Sequence, residues 1–253
     1  MNIGSKSAIL VAAIVGLSFV IGAGALGKSL VRSRAGEDIV RVVGSARRPI
    51  QSDFIIWRGK VSRTAPQMAT AYGQLGGEMN KVEAYLRDKG IEQKEIFRQA
   101  ISTETLYQRS LDANGNEIND SSTLRPVAGY RLGQEIEVRS SKLALLDDLS
   151  RKSSELLSRG VPFESQAPLY LFTKLSDLKV TMQAEAAADA LKRAQGIAKA
   201  AGAELGEVRW ARMTAPSLTP LYSGSDSDGG TDDTSSLEKK ITAIVTVGYA
   251  LND

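Results

Sequence analysis

The sequence predicts an α+β fold, with mixed, largely antiparallel sheets and three helices packed on them, preceded by one N-terminal transmembrane helix. Three observations carry this. Segments with two-residue apolar alternation come in pairs, and one pair is joined by a stretch containing the hairpin signal Asn114-Gly115. Each of three helical stretches ends at a glycine before the next strand, at Gly90, Gly160 and Gly202. Hairpins interleaved with helices place those helices on the faces of antiparallel sheets.

Residues 1–27 read as a membrane anchor. Between Lys6 and Lys28 lie 21 uncharged residues, and at 1.5 Å per residue they span about 31 Å, close to a hydrocarbon core of about 30 Å. The rival reading is a cleaved signal peptide, with residues 8–21 as its apolar region and Ala23-Gly24-Ala25 as a cleavage site near Ala25. The uncharged length exceeds what export needs, which favours retention. Ala8, Ala12 and Gly16 recur every four positions, either as a small-residue contact stripe or as ordinary membrane-helix composition. Lys28, Arg32 and Arg34 after the span bias the domain toward the cytoplasm, whereas a short basic start biases it outward. Charge alone leaves the orientation open. Residues 28–38 form a polar juxtamembrane linker, and the folded domain occupies residues 39–253.

Within the domain, residues 39–43 and 53–61 read as strands, with Gly59 marking a bulge. Pro66 opens a helix in which Met68, Tyr72, Leu75, Met79, Val82 and Leu86 form one apolar stripe. Gly73, Gly76 and Gly77 inside it allow close packing or a kink. Residues 96–107 and 130–140 pair as a hairpin. In the second of these, Tyr130, Leu132, Ile136 and Val138 face the core while Arg131, Glu135, Glu137 and Arg139 face water. Leu143, Leu146, Leu149, Leu156 and Leu157 mark the second helix. Residues 163–173 read as a strand, and Pro162 and Pro168 give it an edge or irregular course.

The third helix, residues 176–201, is rich in alanine. Its projection gives a stripe of Ala184, Ala187, Leu191, Ala194, Ala198 and Ala201, continued by Leu205. Glu185, Asp189, Lys192, Arg193 and Lys199 lie opposite. Alanine forms helices well but buries little surface, so the stripe points to close approach of backbones. The approach is either to the helix's own sheet or, in part, to another subunit. Residues 208–213 and 241–251 are the last strands, separated by a polar loop, 216–237, expected to be mobile.

Chemistry is bounded by what the chain lacks. It contains no Cys and no His, which removes disulfides, thiol and imidazole nucleophiles, histidine general bases and most zinc or transition-metal sites. The net charge is +3, but Lys6, Lys28, Arg32 and Arg34 precede the first acidic residue, Glu37; beyond them stand 28 basic and 29 acidic residues. The domain is therefore no basic nucleic-acid binder. The acidic run from Asp226 to Asp233 fails as a calcium loop, with Gly230 at the fifth position and Leu237 at the twelfth. The run from Asp112 fails too, with Glu117 in place of the turn glycine and Thr123 at the twelfth position. No phosphate-binding glycine loop and no nucleophile elbow occurs. No catalytic, cofactor-binding or metal-binding residue is nominated, and the expectation is a protein that is not an enzyme and needs no cofactor.

The run from Leu169 to Met213, with an alanine-rich helix followed by Gly202, Leu205 and Gly206 and then a strand, resembles the C-terminal signature of SIMPL-domain proteins. VVGSARRPI, residues 42–50, resembles that family's first strand, with Ala46 where a second glycine is usual. Residues 90–109 and the segment beginning Gly129-Tyr130 are similar to its central hairpin. The resemblance covers residues 39–251. It implies an extracytoplasmic α+β protein, exported or anchored at its N-terminus, with some relatives forming large homo-oligomers or serving oxidative-stress defence. It carries no catalytic residues. Taken together, the expectation is a non-enzymatic, single-pass protein of the inner (cytoplasmic) membrane with its domain in the periplasm. It would self-associate and act as a scaffold or envelope- or oxidative-stress factor. The alternatives are secretion to the periplasm after cleavage near Ala25, and a ligand- or peptide-binding module using the edge near Pro162 and Pro168 or the 216–237 loop.

Overall fold

The computed structural model describes residues 39–108, 126–224 and 232–252. The expected membrane helix and linker lie outside these residues, and among them no helix is long and apolar enough to cross a membrane. The described residues form two antiparallel sheets, each with its own helices and its own core.

The first sheet is built on β9 (Glu238–Asn252), the clearest alternating segment of the chain. On one side it pairs along its length with β1 (Ile39–Gln51). On the other it pairs with β7 (Glu204–Met213) and, further along, with β8 (Ser217–Pro220). β1 is longer than the sequence suggests, because Arg47, Arg48 and Pro49 continue the ladder opposite Thr242, Ile241 and Lys240. Proline is tolerated there because β1 is an edge strand of the sheet. β8 lies inside the stretch expected as an unstructured loop. Leu218 draws it in, being buried beside Ile241 in the core.

The second sheet takes the order β3 (Ile96–Tyr107), β4 (Val127–Ser140), β2 (Phe54–Ala65). β5 (Phe163–Ser165) and β6 (Leu169–Leu171) both pair with the far edge of β2. The single strand expected over 163–173 is thus two short ones with Pro168 between them. Gly59 is no bulge, since β2 and β4 stay in register through Gly59 and Ile136. It is a close approach: a Cβ there would lie 1.9 Å from Cζ of Phe163. The Phe163 ring packs over it toward Trp57, with centroids 5.6 Å apart.

Helices α1 (Met68–Asp88), α2 (Leu143–Lys152) and the single turn α3 (Glu155–Ser158) cover one face of the second sheet. The expected stripe of α1 is buried from Leu75 onward, while Met68 and Tyr72 are exposed. Gly73, Gly76 and Gly77 face open space, so close packing does not explain them. The expected second helix is interrupted at Ser153. The Ser150 and Ser153 hydroxyls bond back to the carbonyls of Asp147 and Ser150, a competition that loosens helices. With α3, the described residues hold four α-helices where three were expected. Gly90, Gly160 and Gly202 all have positive φ, as helix-terminating glycines should.

Helix α4 (Leu175–Ala201) lies across the first sheet. Its 27 residues span about 40 Å. Its buried line is Met182, Ala186, Ala190, Ala194 and Ala198, not the stripe expected from Ala184. Of that stripe only Ala194 and Ala198 are buried, while Ala184 and Leu191 are exposed. The reason is Gly44 on β1: a Cβ there would lie 2.2 Å from the Ala186 carbonyl oxygen and 2.4 Å from the Ala190 nitrogen. Helix backbone and strand backbone meet at that point, which only alanine and glycine permit. α4 also guards the free edge of β1, where the Ser45 N–H donates to Asp189 at 2.9 Å and Arg48 pairs with Glu185.

The chain passes from the first sheet to the second across only Ser52 and Asp53. Both stay paired: the Ser52 N–H donates to the Leu237 carbonyl at 2.9 Å and the Asp53 N–H to the Leu171 carbonyl at 3.0 Å. Two large-residue and small-residue cores are thereby held side by side.

Candidate functional site

Alternation along β9 gives the first sheet two faces. Ile241, Ala243, Val245, Val247 and Tyr249 pack against α4, so Thr242, Ile244, Thr246, Gly248 and Ala250 point the other way. Among the described residues no helix covers that outer face. Strand register sets adjacent rows across it: Arg41, Gly248 and Trp210 in one, Val43, Thr246 and Arg212 in the next. These rows enclose a hollow of about 260 Å³ lined by Arg41, Trp210, Arg212 and Thr246.

Each side chain is placed by a local feature. β7 has two register shifts, between Leu205 and Val208 and between Val208 and Trp210, and such bulges re-aim side chains. Gly248 provides room for the indole, since a Cβ there would lie 2.4 Å from Trp210 Nε1. The Arg41 guanidinium sits 5.7 Å from the indole centroid, within cation–π range. Arg41 and Arg212 have no ion-pair partner among the described residues. The second sheet's outer face differs. There Arg58 and Arg139 both bond Glu137, each at 2.5 Å, and Arg131 pairs with Glu104 at 3.1 Å. Two uncompensated guanidiniums beside an indole and a hydroxyl suit an anion attached to an apolar body. They supply neither a nucleophile nor a base.

A second cluster of ionisable groups lies at the junction of the sheets. Lys239 is wholly buried. Its ammonium donates to the carbonyls of Tyr170, at 2.9 Å, and Asp233, and stands 3.5 Å from an Asp233 carboxylate oxygen. Burial pulls the Lys239 pKa down against the opposing pull of Asp233. Burial pushes Asp233 up, but hydrogen bonds from Ser235 and the Lys239 charge leave it below the ordinary value. Tyr170 donates to Asp147 at 2.6 Å, and burial together with that carboxylate pushes its pKa up to about 12. The cluster ties β6, β9 and residues 233–235 together around a wholly buried ammonium, which fits a structural role.

The residues singled out from sequence fall elsewhere. Of the acidic run, Asp226 and Asp228 lie outside the described residues, Asp232 pairs with Lys179 at 3.0 Å, and Asp233 belongs to the junction. The run from Asp112 also lies outside them. Among the described residues no three His, Cys, Asp or Glu side chains gather as a metal site. The Pro162–Pro168 edge is occupied on its inner side by β2. Sequence reasoning missed Arg41, Trp210 and Arg212. The strands that carry them were visible, but which strands flank β9 was not.

A search of curated proteins returned no match. The family model described as SIMPL, protein of unknown function (DUF541), matches residues 40–249, and the chain belongs to that family.

Proposed function

We propose that this chain is a non-enzymatic assembly module, held outside the cytoplasm by a membrane-spanning N-terminal segment, that self-associates as a scaffold in the cell envelope and contributes to envelope or oxidative-stress defence. The observation that carries self-association is the outward side of α4. Val180 and Leu191 are 67% and 40% exposed, and with Ala184 they form one line at helical spacing. An apolar line flanked by alanines suits close packing against the same line of a second copy, the isologous arrangement commonest in homo-oligomers.

The test is the native mass of the full chain in mild detergent. The expected result is an oligomer for the wild type and a monomer for Val180→Glu combined with Leu191→Glu. Both positions face solvent in the single chain, so the variant should keep its circular dichroism spectrum. A monomeric wild type at high concentration refutes self-association. A second reading, a ligand-binding module, is favoured by the hollow between Arg41 and Arg212.

A further inference from the structure

We propose that the hollow on the outer face of the first sheet receives the phosphate of an anionic phospholipid headgroup, docking this face on the membrane that the N-terminal segment enters. The inference rests on the anchoring part of the functional reading. Three independent observations converge on it.

The first is position. The 38 residues before β1 include the uncharged stretch 7–27. Residues 28–38 join it to Ile39, and fully extended they reach at most about 40 Å. Arg41 follows Ile39 by two residues, about 7 Å along the strand. The hollow therefore sits at the end of the sheet where the anchor attaches.

The second is charge. The rows that form the hollow, residues 39–43, 210–212 and 244–250, contain Arg41 and Arg212 and no acidic residue. Neither guanidinium has an ion-pair partner among the described residues. Guanidinium pairs bind phosphate oxygens in a forked geometry, and a phospholipid headgroup presents an anionic phosphate on either face of the bilayer.

The third is the apolar surround. Trp210 is 38% exposed and Val43 50% exposed, with Ile39 beside them on the same face. Tryptophan favours the membrane interface, where its ring meets acyl chains and its N–H meets headgroups. A soluble anion would have no use for this collar, whereas a lipid would.

The experiment uses the full chain reconstituted in vesicles of phosphatidylcholine, or of phosphatidylcholine with phosphatidylglycerol, carrying lipids brominated high on the acyl chains. Indole fluorescence is the readout. Trp57, the second tryptophan, is wholly buried in the other core, and Trp210→Phe defines its background. The expected result is quenching that appears with phosphatidylglycerol and vanishes in Trp210→Phe. In Arg41→Gln/Arg212→Gln it should demand about thirtyfold more anionic lipid, from the loss of two interfacial charges.

Quenching that is equal in pure phosphatidylcholine, or unaffected by the arginine replacements, overturns the headgroup assignment. So does its abolition by millimolar inorganic phosphate, which would identify a soluble-anion site. No quenching in a chain that resists a carbonate wash overturns the inference and leaves anchoring intact. A chain stripped off by the wash overturns the anchoring reading itself.

Discussion

Replacing Gly44 with alanine tests why α4 is built of alanine. The added Cβ would lie 2.2 Å from the Ala186 carbonyl oxygen, 2.4 Å from the Ala190 nitrogen and 2.7 Å from the Ala190 Cβ. Ordinary contact begins near 3.4 Å, so relief requires a shift of about 1 Å. Two of the three atoms are helix backbone, so no side chain can swing away and α4 itself must retreat. A gap of 0.5–1 Å forfeits roughly a quarter to a half of each dispersion contact along the seam, and overpacking costs about 1–3 kcal/mol, sometimes more. The unfolded chain loses entropy with Gly→Ala, which returns about 0.4–1 kcal/mol. With overpacking at the upper end of its range, because the contacts are backbone, the expected net loss is about 2 kcal/mol, or about 4–8 °C in Tm for a domain of this size. Calorimetry and urea melts of the full chain in detergent measure it. Adding Ala190→Gly should not rescue Gly44→Ala, because the backbone contacts remain. A variant within about 0.5 kcal/mol of wild type, or full rescue by Ala190→Gly, refutes backbone contact as the reason for the alanine line.

Two further outcomes follow from the same structure. Glu137 is pushed up by burial but held below its ordinary value of 4.5 by hydrogen bonds from Arg58 and Arg139. A carboxyl depressed in the folded state adds stability that is present above pH 4.5 and lost as pH falls through the folded value. Urea midpoints should therefore drop below about pH 4.5, and Glu137→Gln should flatten that slope; an unchanged slope would show that Glu137 is not a contributor. Gly76→Ala with Gly77→Ala should raise stability by about 1–2 kcal/mol, since a Cβ at either position meets nothing and helical glycine costs up to about 1 kcal/mol relative to alanine. A loss of stability in thermal melts would reveal a hidden contact on that face of α1.

The fold class, the helix-ending glycines and the hairpin strands were legible because each depends on local sequence: period-two alternation, or a positive φ that glycine supplies. The alanine helix was legible as a close approach but not in its orientation. A projection cannot tell which of two neighbouring alanine lines faces the sheet, and that is decided by Gly44 on a strand some 140 residues earlier. β8 was hidden for the same kind of reason. Within Ser217–Pro220 Leu218 is the one large apolar residue, too little for an alternating pattern, and pairing with β9 makes it core. The hollow at Arg41, Trp210 and Arg212 was beyond local reading altogether, because it exists only where β1 and β7 flank β9.

The two sheets manage their outer faces differently, and the contrast bears on function. A one-sided antiparallel sheet ordinarily turns polar residues to water. The second sheet largely does so, with Arg58, Lys60, Ser62 and Thr64 on β2 opposite Glu137, Glu135, Gly133 and Arg131 on β4, and its arginines are paired. The first sheet instead turns Ile39, Val43, Trp210 and Ile244 outward beside Arg41 and Arg212, which have no ion-pair partner among the described residues. That arrangement leaves apolar area in water and two charges uncompensated, while the buried side of the same sheet depends on a thin layer of alanine. Solvent alone gives no reason for it. A surface that meets apolar and anionic groups together does, and the proposed docking on a phospholipid headgroup would supply one.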